Sequence, residues 1–493
     1  MDAYKGYEAV IGLEVHAELQ THSKMFCGCP VVDSTQALPN IAVCPICSGM
    51  PGVLPVINQQ AVEYALRVAL ALECDIAATS IFARKNYFYT DLPKGYQISQ
   101  YEYPLASNGK LAIQTGQGER IIRIRRAHLE EDTGKLTHVR KDGQAYSLVD
   151  LNRAGVPLLE IVSEPDMHTV EEVRAYTSAL RTLLRYLRVN SGDMEKGVIR
   201  FEANVSVRPL GSSELNTRVE IKNLNSFRAL ERSVQYEIQR QVDLVQSGGT
   251  VRQETLGWDD QTEVTVSQRG KEEAHDYRYF PEPDLPPLVV ETEWVRRVWA
   301  NLPELPQAKI QRFTGQFGLS AYDASLLASE PAVADYFDAA VEAAGEEVAP
   351  KSIANWITGE LFSLINQNSA PLDRIQPGPQ ALVELIRSVR QGVINNNTAK
   401  AVLAEMFASG KSSAEIIRER GLGQVSDLAH IAGLVQRVLA DNPQEVATYL
   451  SGKETVATWF FGQVMKAGRG QANPQVVREE LEKQLKAVKK SDQ

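Results

Sequence analysis

An α+β region, built on an antiparallel sheet with one ionic face and followed by two all-α units, is the fold class that this 493-residue sequence predicts. Three observations carry it. Segments near residues 10, 200 and 220 alternate apolar and ionic residues with period two, the signature of strands. The stretch "YFPEPDLPPLVV" at 279–290 holds four prolines and reads as a stiff, non-helical connector. Beyond it the strand pattern nearly vanishes and capped helical segments follow one another. These changes of texture divide the chain into 1–292, 293–424 and 425–493.

With 43% hydrophobic and 23% charged residues, the chain reads as a soluble protein too long for one core. No stretch approaches the ~20 apolar residues of a membrane span. The opening "MDAYKGYEAVIGLEVHAEL" is too polar for a secretory signal, so the expected compartment is the cytoplasm. A net charge of −10 argues against nonspecific wrapping of nucleic acid, which draws on an excess of Lys and Arg. Specific contact through one local surface stays open.

The first strand lies in "VIGLEVHAEL", where Leu13, Val15 and Ala17 point one way and Glu14, His16 and Glu18 the other. Next come "CGCP" at 27–30 and "VCPIC" at 43–47, which place four of the five cysteines within 21 residues. Two close pairs separated by a loop are how a tetrahedral zinc site is written, with Cys27, Cys29, Cys44 and Cys47 as thiolates at about 2.3 Å. Such a site has no open position, so its expected role is structural. Two disulfides or ordinary buried thiols are the other readings, and disulfides need an oxidising compartment. Cys74, in "YALRVALALEC", reads as a small core residue.

"RKNYFYTDLPKGYQISQYEYP" then joins Arg84, Lys85 and Lys94 to five tyrosines, and "HDYRYFPEPD" joins His275 and Arg278 to three aromatics. Interleaved rings and cations stack a base and hold its phosphate, or simply pack a long loop. In "RIIRIRRAHLEEDTGK", Arg123, Arg125 and Arg126 precede Glu130, Glu131 and Asp132. Three consecutive acids repel one another unless a metal, an arginine or water neutralises them.

Two more strands follow. In "IRFEANVSVR", Ile199, Phe201, Ala203, Val205 and Val207 oppose Arg200, Glu202, Asn204, Ser206 and Arg208; in "TRVEIKNL", Val219 and Ile221 oppose Arg218, Glu220 and Lys222. The turn-rich "RPLGSSELN" between them predicts a hairpin. A solvated sheet face is one explanation of such alternation. The residue types favour another: Glu14, His16, Glu202 and Glu220 are ligands for a hard cation such as Mg²⁺. Neither G-x-x-x-x-G-K-[ST] nor G-x-G-x-x-G follows a strand, so ATP would be handled through metal-bridged carboxylates and not a P-loop.

After the connector, Ser412 and Glu415 form a capping-box pattern with Gly421 as the stop, and prolines behind Asn442 and Asn473 open two later helices. Residues 425–493 carry nine Lys and Arg against eight Asp and Glu, which leaves −11 on the rest of the chain. Against that background the tail, with Lys466 and Arg469 beside Gly468 and Gly470, is where an RNA backbone is repelled least.

Taken together, "IGLEVHAEL", "RKNYFYTDLPKGYQISQ", "HLEEDTGK", "YSLVDLNRAGVPLLEIVSEPD", "RFEANVSVRP", "EIKNLNSF" and "DYRYFPEPDLPP" resemble the B subunits of tRNA-dependent amidotransferases, in order through residues 7–290. That resemblance implies a glutamine synthetase-like cradle in which ATP phosphorylates the side-chain carboxylate of Glu-tRNA(Gln) or Asp-tRNA(Asn). Ammonia then displaces phosphate. It implies an amidase-type A subunit as the ammonia source, a small C subunit, and a tRNA-binding tail. The family's metal ligands fall on Glu14, His16, Glu130, Glu131, Glu202 and Glu220. Lys85 and Glu131 match polar residues at the mouth of the family's ammonia channel, where a lysine can pair with the carboxylate. Asp150, Asn152 and Arg153 belong to a family motif near the site, with no individual role readable. Many relatives lack the four cysteines, so zinc would not be the catalytic ion.

Overall fold

The protein is described by a computed structural model covering residues 4, 6–141, 143–270, 277–371, 374–423, 428–468 and 472–491. It falls into two compact units, Met1–Pro306 and Gln307–Gln493.

The first unit is organised by a nine-stranded sheet. In chain order the strands of the unit begin with β1 (Tyr7–Glu18), the short β2 (Asp75–Ile76) and β3 (Thr79–Ser80), β4 (Ala83–Asn86) and β5 (Tyr96–Ser99). There follow β6 (Ala106–Thr115), β7 (Gly118–Glu131), β8 (Lys135–Lys141), β9 (Gln144–Asp150) and β10 (Pro157–Ser163). Last come β11 (Ile199–Pro209), β12 (Val219–Leu224), β13 (Glu254–Asp259), β14 (Val264–Gly270) and the two-residue β15 (Phe280–Pro281) and β16 (Leu288–Val289). The large sheet runs β14-β13-β12-β11-β1-β10-β7-β6-β2, and β4 and β5 pair beside it in a smaller sheet.

The expected hairpin is present: β11 and β12 pair antiparallel, with Val205 opposite Val219. The sheet is mixed, however, and not wholly antiparallel, because β12 and β13 run parallel. The reason lies between them. The 20-residue helix α3 (Phe227–Gln246) carries the chain back to the end where β12 began, and a crossover of that length is what a parallel pair requires. Ser226 starts α3 by accepting the Ala229 N–H.

Helices α1 (Gln59–Ala71), α2 (Val170–Tyr186) and α3 share one core with the apolar face of the sheet. Leu13, Val15, Ala17, Phe201, Ala203 and Val205 are buried there with Leu66, Leu180, Val234 and Ile238. Thr169 and Glu172 close a capping box on α2, satisfying backbone donors that the helix start would otherwise leave bare. Burial of one face leaves every second residue of β1, β11 and β12 on the opposite, ionic face.

Every named element among the described residues of the second unit is a helix. The Ser412–Glu415 capping box forms as expected, and prolines open the helices Pro443–Leu450 and Pro474–Ser491. Within 428–491, a compact cluster of Ile431, Val435, Phe460, Val464, Val477 and Leu485 fixes the last helices together. No described helix is long and apolar enough to cross a membrane.

Candidate functional site

Residues opposed across antiparallel neighbours share a face, so the register of the sheet writes rows of side chains. One row reads His128 on β7, Glu160 on β10, His16 on β1 and Arg200 on β11. The next reads Arg126, Val162, Glu14 and Glu202. Beside it Asn204 lies opposite Glu220. The register of the sheet therefore assembles an ionic patch from five strands, β7, β10, β1, β11 and β12, and a cavity of about 320 Å³ opens above it. Lys85, Tyr87, Tyr277 and Tyr279 also line that cavity.

Two ligand sets occupy the patch: His16, Glu130 and Glu160, and Glu14, Glu202 and Glu220, each with ligand atoms within 4.8 Å of one another. In the first, His16 Nε2 stands 3.5 Å from Glu160 and 3.7 Å from Glu130, and His128 Nε2 stands 3.5 Å from Glu160. In the second, Asn204 donates to Glu14 at 3.0 Å, Lys222 to Glu202 at 2.7 Å and Thr255 to Glu220 at 2.8 Å.

So many acids under one roof disturb their own titration. Burial, then the carboxylates of Glu160, Glu202 and Glu220, push Glu14 above the usual range. Burial and Glu160 lift Glu130 to about 7, against the pull of His16 and Lys85. For His16 burial acts downward, but Glu160 with Glu202 and Glu130 outweighs it and raises the imidazole to about 9. Burial holds His128 down at about 4. Carboxylates that repel one another in a shaped cavity, with hydrogen bonds from Asn, Thr and Lys, have the chemistry of a hard-cation site: oxygen-rich, negative and open to a ligand's phosphates.

Five of the six carried-over ligands thus meet, in two sets, and one does not. Glu131 follows Glu130 on β7 and turns to the other side, where it is ion-paired with Lys94 and accepts the Ile98 N–H at 3.0 Å. The lysine beside Glu131 is Lys94 and not Lys85. Lys85 sits opposite Gln97 in the β4–β5 pair, its ammonium 5.0 Å from the centre of the Tyr277 ring. Glu130 and Glu160, winning over burial, keep it firmly charged. Glu160, which strand alternation does not single out, completes the first set; its cue is a lone acid in the apolar run "PLLEIVS". Asp132 has the neutralising partner that a run of three acids calls for: Arg200 donates to both its oxygens at 3.0 and 3.1 Å.

The four cysteines converge independently of the sheet. Cys47 Sγ lies 3.8 Å from Cys44 Sγ and 4.0 Å from Cys29 Sγ, and all four sulfurs lie within 4.8 Å of one another. Four thiolates at about 2.3 Å from a zinc ion are separated by about 3.8 Å, so the four sulfurs fit a tetrahedral metal. None is in a disulfide. Lys24, fully buried, reaches Cys47 Sγ at 3.5 Å. Elemental analysis of protein expressed with zinc is expected to return one Zn²⁺ per chain, and Cys44→Ser to lose it together with loop stability. A zinc-free protein, or a disulfide between these cysteines in protein purified under reducing conditions, would remove the assignment.

Of the remaining residues singled out by sequence, Asp150, Asn152 and Arg153 lie outside the cavity lining, Asp150 at the end of β9 and the other two just after it. Lys466 is exposed near the end of the helix Val456–Ala467. Arg469 and His275 fall outside the described residues.

Comparison with known proteins gives a uniform result. The GatB/GatE catalytic domain family matches residues 9–296, and the GatB domain family matches residues 335–485. The chain is 52% identical to the B subunit of the aspartyl/glutamyl-tRNA(Asn/Gln) amidotransferase of Thermodesulfovibrio yellowstonii, covering 97% of this chain and 99% of that protein. The protein of the same name from Myxococcus xanthus is 53% identical, over 97% and 98% of the two chains. That of Dehalococcoides mccartyi is 50% identical, over 97% and 99%.

Proposed function

Because this chain belongs to the family of aspartyl/glutamyl-tRNA(Asn/Gln) amidotransferase B subunits, we propose that it is the component in which ATP activates, and ammonia then amidates, the side-chain carboxylate of misacylated Glu-tRNA(Gln) or Asp-tRNA(Asn). The observation that carries this reading is the pair of ligand sets, His16–Glu130–Glu160 and Glu14–Glu202–Glu220, side by side on the ionic face of the sheet, with every member but Glu220 lining one cavity.

We assign Mg²⁺ to these two sets. Held by His16, Glu130 and Glu160 and by Glu14, Glu202 and Glu220, divalent cations would supply positive charge against the negative charge that develops in phosphoryl transfer. The chain's own residues do the rest. Asn204, Lys222 and Thr255 hold the second set of carboxylates in place, and Lys85 brings a fixed positive charge to the cavity wall. The aromatic walls Tyr87, Tyr277 and Tyr279 exclude water from an acyl phosphate, which would otherwise hydrolyse before ammonia reached it. The ammonia comes from glutamine hydrolysed in an amidase-type A subunit, with a small C subunit in the complex. The glutamine synthetase-like description of the cradle belongs to the same proposal. The four cysteines hold a structural zinc ion, whose thiolates call for the reducing cytoplasm. Residues 425–493, including Lys466 and Arg469, form a tail domain that grips the body of the tRNA.

Reconstitution with the A partner tests the proposal. ATP turnover is expected only with misacylated tRNA; glutamine is expected to support amidation only with the partner present, whereas ammonium supports it weakly with this chain alone. Removal of 425–493 is expected to raise KM for misacylated tRNA and flatten its salt dependence, since fewer counterions are released. Glutamine hydrolysis by this chain alone, or amidation with an unchanged KM after truncation, would contradict the corresponding assignment.

A further inference from the structure

The loop that carries the four cysteines is anchored at its start by the buried Met25 and Phe26, but between the two cysteine pairs it buries little apolar surface: Leu38 is 73% exposed and Ile41 61%. Polar bonds to the end of β9 and the residues just after it help to hold it. Asp150 accepts the Asn40 N–H at 3.0 Å, and Asn40 in turn donates to Val149 O at 3.0 Å and accepts the Leu151 N–H at 2.8 Å. Asn152 is fully buried with both ends of its amide committed to the loop: its oxygen accepts the Ala42 N–H at 2.9 Å, and its nitrogen donates to Leu38 O at 2.8 Å.

Lys24 ties the same pieces from within. An ammonium has three hydrogens, and this one has three acceptors: Ala42 O at 2.7 Å, Leu151 O at 3.1 Å and Cys47 Sγ at 3.5 Å. Four thiolates around Zn²⁺ leave two negative charges, and a buried cation against one of them offsets part of that charge.

From Asn152 the connection continues to the acidic run. Arg153 donates to Thr133 O at 3.0 Å and to Gly134 O at 2.8 Å, and lies 3.6 Å from Asp132. Gly155 N–H bonds Asp132 O at 2.9 Å, and Asp132 N–H bonds Val156 O at 2.8 Å. Gly155 has φ +83°, and a Cβ there would stand 3.4 Å from Cys47, 3.6 Å from Lys24 and 3.9 Å from Glu131. On the other side Gly49, just after the second cysteine pair, leaves no room for a side chain against Lys94, the partner of Glu131. The cysteine loop is thus built onto the back of the segment whose front is Glu130.

We infer that the metal held by Cys27, Cys29, Cys44 and Cys47 sets the position of Glu130–Asp132 through Asp150, Asn152 and Arg153, which are positioning residues for the cavity, with Lys24 joining the thiolates to the same segment. The inference concerns the reaction only through the reading under Proposed function. Its structural half, from metal to acids, stands apart from any activity.

The test uses the full chain purified with zinc. Asn152→Ala is expected to retain one Zn²⁺ while amide exchange at 130–134 accelerates on the order of tenfold. In the amidation assay kcat is expected to fall about tenfold or more, with KM for misacylated tRNA unchanged, because displaced ligands slow chemistry without touching the tRNA body. Lys24→Met is expected to weaken zinc retention against a chelator about 10–100-fold, as loss of a neighbour to a metal ligand does. Zinc-loaded Asn152→Ala with wild-type exchange at 130–134 overturns the inference. Should that variant fail to fold, chelation of the wild-type chain decides: faster exchange at both 149–156 and 130–134 supports the connection, and unchanged exchange at 130–134 overturns it. A change in exchange with no change in kcat leaves the connection standing and counts against the reaction assigned to the cavity.

Discussion

Glu14→Ala is expected to lower the rate of acyl phosphorylation about 10²–10³-fold or more, with tRNA affinity retained. Glu14 stands opposite Glu202 in the β1–β11 register and two residues along β1 from His16, on the same face, so it borders both ligand sets. Phosphoryl transfer leaves the protein little covalent work; its catalysis is positioning and charge stabilisation, and a lost cation ligand removes stabilisation felt most in the transition state. Single-turnover measurement of phosphate release with misacylated tRNA at saturating Mg²⁺ reads the effect. Near-normal turnover there would sink the assignment of the second set. Glu131→Ala offers the contrast. The resemblance placed it among the ligands, but it faces Lys94 and Ile98 N–H, so its loss leaves both sets with every ligand and is expected to cost less than the loss of Glu14 in the same assay.

How much of this was legible in the sequence depended on how each residue is surrounded. β1, β11 and β12 are buried on one face only, so their alternation showed both the strand and its functional side. β10 is buried on both faces, between β1 and β7, and "PLLEIVS" accordingly shows no alternation; Glu160 had no face to be assigned to. Glu130 and Glu131 are adjacent acids, and period two says that they diverge without saying which one enters the cavity. The choice between Lys85 and Lys94 as partner of Glu131 rests on how the segment 84–99 folds back onto β7, a non-local contact that no spacing records. The cysteines were readable because their geometry is local, two short pairs closing one loop. The polar bonds from that loop to Asp150 and Asn152 span about a hundred residues of sequence, and only the fold brings them together.

Arg200→Met is expected to destabilise the first unit by about 3 kcal/mol, the penalty of leaving a buried charge without its partner. Arg200 follows Ile199 on β11 and lies opposite His16, but its guanidinium turns to Asp132, whose side chain is only 4% exposed. Burial works against the Asp132 carboxylate, yet Arg200 and Arg153 hold it down at about 2. With Arg200 gone, the Thr133 N–H at 2.8 Å and Arg153 at 3.6 Å remain, too little to replace a two-oxygen contact. Arg200→Lys keeps the charge but not the reach and geometry of the guanidinium, and is expected to recover part of the loss. The decisive comparison is a double-mutant cycle followed through the unfolding transition of the first unit. If the penalty comes from the stranded carboxylate, Arg200→Met combined with Asp132→Asn will be more stable than Arg200→Met alone. If the two losses simply add, the pair is not coupled, and the neutralisation expected for three consecutive acids must be supplied by other groups.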